Sequence, residues 1–126
     1  MIYGIGTDIL EIERIEKLLE NPRFLEKYFT QKEIARFQTK KNPAESVCGA
    51  FAAKEAFSKA LGTGFRGFGF ADLEIAPDEL GKPEITLHGA ALEIAKARGA
   101  EKIFLTISHS NTAAVAVVLI EKGESK

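Results

Sequence analysis

Phe51-Ala52-Ala53-Lys54-Glu55-Ala56-Phe57-Ser58-Lys59-Ala60-Leu61-Gly62-Thr63-Gly64 is the stretch that decides how the rest of this chain is read. At 3.6 residues per turn Glu55 and Lys59 project from one side, while Phe51, Ala52, Ala53, Ala56, Phe57, Ala60 and Leu61 cover most of the remainder. A helix this apolar is expected to be buried. Burying a carboxylate and an ammonium on it is costly unless something compensates, so the pair calls for a partner, a cation or a bound anion. The alternative is an ordinary solvated Glu-Lys pair at helical spacing, and the stretch alone leaves both open.

Working outward, Asn42-Pro43-Ala44-Glu45 supplies an N-cap, a proline at the first helical position and a Glu at the third. The central helix therefore starts near Pro43 and stops at Gly62, where glycine can take the left-handed conformation. Phe65 to Phe70 reads as an ordered loop whose phenylalanines lie on a pocket or interface, or else plug the core. Upstream, Met1 to Thr7 favours a strand, with Gly4 and Gly6 open to close approach by a backbone or a ligand. Asp8 follows at the strand's end. From about Ile9 an apolar stripe of Ile12, Ile15, Leu18 and Leu19 predicts an amphipathic helix ending near Asn21-Pro22. Phe24, Leu25, Tyr28 and Phe29 form an aromatic cluster, and Thr30 with Glu33 has capping-box spacing for a short helix through Phe37.

Downstream, Leu73 to Ile75 and Ile85 to Leu87 read as two strands joined by a turn with Pro77, Asp78, Gly81 and Pro83. Gly89 to Arg98 is an alanine-rich helix closed by Gly99, Ile103 to Ile107 a further strand, and Ala113 to Ile120 a buried last strand. The expected class is α+β: an antiparallel sheet packed against a long central helix and shorter helices. At 126 residues, 45% hydrophobic and 28% charged, residues 1–126 fit one domain. A net charge of −1 argues against nucleic-acid binding by the whole surface. Ala113 to Ile120 is too short to span a bilayer, and the N-terminus lacks a signal peptide's basic start and apolar middle. No nucleic-acid or membrane partner is expected. The single Cys48 permits no internal disulfide and reads as a core residue, which makes a cytoplasmic location the expectation.

Two further polar residues stand out, Asp8 and His109, the latter between two strands. An Asp ahead of a helix is often just an N-cap, and a His near a turn is often just half-exposed. His88 has no acidic or glycine-rich company and is left unassigned. Mg2+ is often held by one or two carboxylates plus phosphates and water, an arrangement Asp8 and Glu55 would supply, with Lys59 facing the same phosphates. Spacing alone does not show that they converge.

Ile5-Gly6-Thr7-Asp8 together with the long motif from Phe51 to Gly64 resembles the two signature motifs of the 4′-phosphopantetheinyl transferases. With Gly81-Lys82-Pro83 and Ser108-His109-Ser110 downstream, the chain is similar over essentially its whole length to the small bacterial members that act on acyl carrier proteins. The resemblance implies transfer of the phosphopantetheine arm of coenzyme A to a serine of apo acyl carrier protein, with release of adenosine 3′,5′-bisphosphate, in fatty acid biosynthesis. It also implies a Mg2+ requirement and a homotrimer with sites at the subunit interfaces. Asp8 and Glu55 match the metal-binding acids, Lys59 the lysine on the coenzyme's phosphates, and His109 the histidine beside the coenzyme. Gly64, Pro83 and Ser108 join Lys59 and His109 as expected substrate-binding residues, and His109 is also a candidate for catalysis beside Asp8, Glu55 and Lys59. Many relatives carry an arginine where this chain has Ala50, which leaves Lys40 or Lys41 as substitutes at the 3′-phosphate. Glu55 and a metal-bound water both remain open as the base for the serine proton.

Two other classes fit the same residues: a Mg2+-dependent phosphohydrolase acting on water, and a noncatalytic module binding acyl carrier protein or coenzyme A. Because acyl carrier proteins are strongly acidic, positive charge has to be local, and Arg14 and Lys17, continuing into Arg23 and Lys27, are the expected docking face.

Overall fold

In the computed structural model, which describes residues 1–123, the chain opens with strand β1 (Ile2–Glu11) and three short helices, α1 (Ile12–Leu18), α2 (Phe24–Tyr28) and α3 (Gln31–Phe37). The long helix α4 (Pro43–Leu61) follows, and a single 3-10 turn at Phe70–Asp72 leads into strands β2 (Leu73–Pro77) and β3 (Pro83–Leu87). Helix α5 (Gly89–Arg98) and strands β4 (Ala100–His109) and β5 (Ala113–Lys122) complete it. The long strands form an antiparallel sheet in the order β1-β5-β4, while β2 and β3 pair as a separate hairpin.

Helix α4 lies on one face of the three-stranded sheet, and glycines set how closely. A Cβ at Gly4 would collide with the carbonyl of Ala60, and one at Gly6 with that of Ala56. The close approach that Gly4 and Gly6 permit is thus to a backbone, and Ala52, Ala53, Ala56 and Ala60 on α4 are all buried. The helix ends as the sequence predicts, with Pro43 in its first turn and Gly62 left-handed at φ 86°. Asn42, however, makes no side-chain cap.

Strand β1 runs four residues past Thr7, to Glu11, and the helix expected from about Ile9 begins only at Ile12. The cause is pairing with β5, which continues through Ile9↔Val115 to Glu11↔Ala113. Asp8 is therefore not an N-cap but a mid-strand residue opposite Ala116. The last strand is buried on one face only: Ala114, Ala116, Val118 and Ile120 are inaccessible, whereas Val115, Val117 and Leu119 are half-buried. On that outer face Ile5, Ile9 and Phe104 remain 65%, 69% and 45% exposed.

The fully buried ion of α4 is Lys54, which the apolar pattern hides. Its Nζ donates to Glu33 Oε1 at 2.7 Å, the Tyr28 carbonyl at 2.8 Å and the Phe70 carbonyl at 3.1 Å. Glu33 is equally buried; its second oxygen accepts from Ile75 N, and its first also closes the Thr30 capping box that the sequence predicts. Burial pushes the Lys54 ammonium below its ordinary pKa, and the Glu33 carboxylate opposes that shift. Around this knot Phe70 stacks on Phe65 at 3.8 Å and on Phe51 at 4.9 Å, and Phe68 meets Phe57 edge-on. Of the phenylalanines in the Phe65 to Phe70 loop, Phe68 plugs the core, whereas Phe65 and Phe70 stay half-buried at its edge.

Candidate active site

Alternation along β1 decides where Asp8 goes. Gly4, Gly6, Asp8 and Leu10 share the face under α4, so Asp8 emerges one step beyond the two glycine contacts, beside the turn of α4 that carries Glu55 and Lys59. Lys59 Nζ donates to the Thr7 carbonyl at 3.0 Å and to Asp8 Oδ1 at 3.1 Å. Of the two readings of the Glu55 and Lys59 pair the lysine follows the solvated one: its side chain is 54% exposed, while that of Asp8 is 18% exposed. Glu55 is half-buried at the same rim. Desolvation raises its pKa and the charge of Asp8 raises it further, while Lys59 and Arg14 pull it down. Asp8, Glu55 and Lys59 thus converge, and Arg14 of α1 stands within electrostatic reach.

The charge of Asp8 that adds to the raised proton affinity of Glu55 is a repulsion that a divalent cation relieves. Among the described residues no three acidic, histidine or cysteine side chains cluster, so a cation at this rim would meet two carboxylates, Asp8 and Glu55. That number suits Mg2+, which keeps waters and takes phosphate oxygens beside one or two carboxylates. The residues fit the ion.

A second cluster sits at the other end of α4. A groove of about 290 Å³ is lined by Arg36, Lys40, Gly49, Ala50, Pro83 and His109, among others, with Gly81 at its edge. His109 Nε2 lies 3.2 Å from the Glu45 carbonyl oxygen. Lys40 is on this groove beside Ala50, whereas Lys41 is not among its lining residues. Arg36, which sequence reasoning missed, is a second cation here and donates to the Ile75 carbonyl at 2.9 Å. Its only sequence signal was the accumulation of basic residues before Pro43.

The two clusters do not meet within one chain. Asp8 pairs with Ala116 and Ala116 with Ile107, so His109 is two strands across and two residues along, on the order of 12 Å between backbones. Ser108, adjacent to His109, points to the opposite, outer face of the sheet by strand alternation. Gly64, at φ 62°, belongs to the turn that closes α4, where its N–H bonds to the Ser58 carbonyl. Arg14 and Lys17 are exposed, Lys17 with Glu13 at 3.9 Å, and Arg23 borders a surface hollow with Lys27 and Glu26. Cys48 is a core residue: burial pushes its thiol up to about 11 and its Sγ donates to the Leu10 carbonyl.

This architecture is shared. Residues 4–118 match the model of the 4′-phosphopantetheinyl transferase superfamily, and the chain belongs to that family. More particularly, it is 53% identical over 122 residues to a holo-[acyl-carrier-protein] synthase of Clostridium botulinum (strain Alaska E43 / Type E3), covering 96% of this chain and 98% of the relative. The crystal structure of holo-[acyl-carrier-protein] synthase from Neisseria meningitidis superposes with a TM-score of 0.92 at 38% identity, over 97% of this chain and all of that one. A holo-(acyl-carrier-protein) synthase from Bacillus anthracis str. Ames, in complex with CoA (3′,5′-ADP), gives a TM-score of 0.84 at 40% identity, over 98% of this chain and 99% of that one.

Proposed function

We propose that this chain transfers the 4′-phosphopantetheine group of coenzyme A to a serine of apo acyl carrier protein, in support of fatty acid biosynthesis. The serine oxygen bonds to the phosphorus that carries the pantetheine, the bond from that phosphorus to the bridging oxygen breaks, and adenosine 3′,5′-bisphosphate leaves. The observation that carries this reading is the convergence of Asp8, Glu55 and Lys59 at an open rim of a chain whose family is this one. In this reading Lys59 meets the diphosphate, and Glu55 lies near enough to it to accept the serine proton, help typically worth about 10²–10⁴-fold. Mg2+ held by Asp8 and Glu55 would supply charge neutralisation on the diphosphate.

Residues 1–126 act in this reading as one transferase domain. The groove of His109, Pro83 and Ala50 takes the coenzyme, with Lys40 and Arg36 supplying the phosphate charge that Ala50 does not. In this reading the groove of one copy joins the acid rim of another, and the exposed apolar sheet face around Ile5, Ile9 and Phe104 supports such an assembly, read as a homotrimer. Arg14, Lys17 and Arg23 form the face that receives the acidic carrier. A cytoplasmic location accords with the lone buried cysteine.

Following the nucleotide product by chromatography tests the reading. Release of adenosine 3′,5′-bisphosphate should require apo carrier and cease when its serine is replaced by alanine. Release without carrier would mean a phosphohydrolase, and no release under any metal condition a noncatalytic binder.

A further inference from the structure

Helix α4 places small residues against the sheet, and at most of those positions it uses alanine. Gly49 is the exception, and it faces the imidazole of His109. A Cβ at Gly49 would lie 2.9 Å from His109 Nε2, 3.2 Å from its Cε1 and 3.1 Å from Ile107 Cγ2. Glycine is among the least favourable choices in a helix interior, so a specific close approach accounts for it here. One turn earlier on the same ridge, the Glu45 carbonyl oxygen lies 3.2 Å from the same Nε2.

A carbonyl oxygen only accepts, so Nε2 is the nitrogen that carries the proton and donates it to Glu45. That commitment leaves Nδ1 without a hydrogen-bond partner among the described residues. The backbone beneath the ring is fixed as well: β4 ends at His109, Ser110 N donates to the Ala113 carbonyl at 2.8 Å, and the Ser110 hydroxyl accepts from Thr112 N and Ala113 N. Strand end and helix ridge together hold the imidazole on the groove that also contains Lys40 and Arg36.

We propose that Gly49 is a positioning residue for the coenzyme: it makes the space in which the α4 backbone fixes the rotamer and tautomer of His109, presenting Nδ1 to bound coenzyme A. The inference rests on the transferase reading above. Gly49→Ala separates its effect from folding, because the atoms in the way belong to side chains that can move and alanine favours the helix.

Steady-state transfer is measured for the wild type, Gly49→Ala, His109→Ala and the double variant, alongside thermal melts and nitrogen NMR of the imidazole. Gly49→Ala should melt no lower than the wild type yet raise the KM for coenzyme A about tenfold, the scale of one hydrogen bond to a charged group. The KM for carrier should change little, and kcat less than the coenzyme KM. The double variant should be no worse than His109→Ala alone, since both changes act through one ring. The NMR should show one protonated Nε2 tautomer in the wild type and its loss in Gly49→Ala. If Gly49→Ala keeps the wild-type coenzyme KM, or if the two changes add, the inference is overturned. A variant that melts lower and loses kcat and both KM values together makes Gly49 a helix-sheet spacer only, which also overturns it. A wild type that transfers nothing defeats the functional reading instead.

Discussion

Asp8 and Glu55 meet at the seam between β1 and α4, and the charge of Asp8 is felt by Glu55. Asp8→Ala or Glu55→Ala should abolish transfer while the thermal melt shows an intact fold; a full rate at saturating Mg2+ would remove that residue from the site. The raised pKa of Glu55 also has a sign. A carboxyl whose folded pKa lies above its unfolded one contributes stability below the unfolded value, and that contribution is lost as pH rises through the folded value. Without divalent cations Glu55→Gln should therefore be at least as stable as the wild type near neutral pH, with a flatter dependence as pH rises above the ordinary carboxylate range. Urea melts across that rise check it, and a loss of stability confined to neutral pH would contradict it. Asp8, Glu55, Lys59 and His109 stand out as candidates in the sequence because short motifs carry them, and the convergence of the first three is what the fold adds. Lys54 does not: an ammonium lost among alanines looks like motif filler until Glu33, twenty-one residues earlier in sequence, is seen to reach it.

Among the elements, α4 was read almost to the residue because proline and glycine punctuate it, and α5 likewise ends at its Gly99. β1 was cut short because Ile9, Ile12 and Ile15 mimic a helical stripe, and only the ladder to β5 shows that Ile9 is a strand residue facing outward. What ties the short helices to α4 is the buried Lys54–Glu33 pair. Lys54→Met should cost about 3–5 kcal/mol, because it leaves the Glu33 carboxylate buried and unpaired. Adding Glu33→Gln should recover part of that loss in denaturant melts; no recovery would mean that the carbonyl contacts, not the charge, are what matters. Helix α1 carries the docking prediction. Arg14→Glu with Lys17→Glu should raise the KM for acyl carrier protein, more at low ionic strength, and leave that for coenzyme A unchanged. Unaffected constants at low salt would place the carrier elsewhere.

At the scale of the molecule, one chain presents an acid rim on β1 and the Lys40–His109 groove at the end of β4, with β5 between them. Alternation showed that the last strand was apolar on both faces, but not that one face would lack a cover within the chain. If neighbouring copies complete the site, mixing Asp8→Ala with His109→Ala, with subunit exchange and at coenzyme concentrations below the KM, should restore about a quarter of the wild-type rate. Sites complete within one chain would give no restoration. The chemistry itself is tested most directly by the intact mass of apo acyl carrier protein after incubation with this protein, coenzyme A and Mg2+. The account predicts a gain of one phosphopantetheine per carrier, absent when the acceptor serine is alanine or when Mg2+ is chelated. An unchanged carrier mass with active coenzyme and folded protein would contradict it.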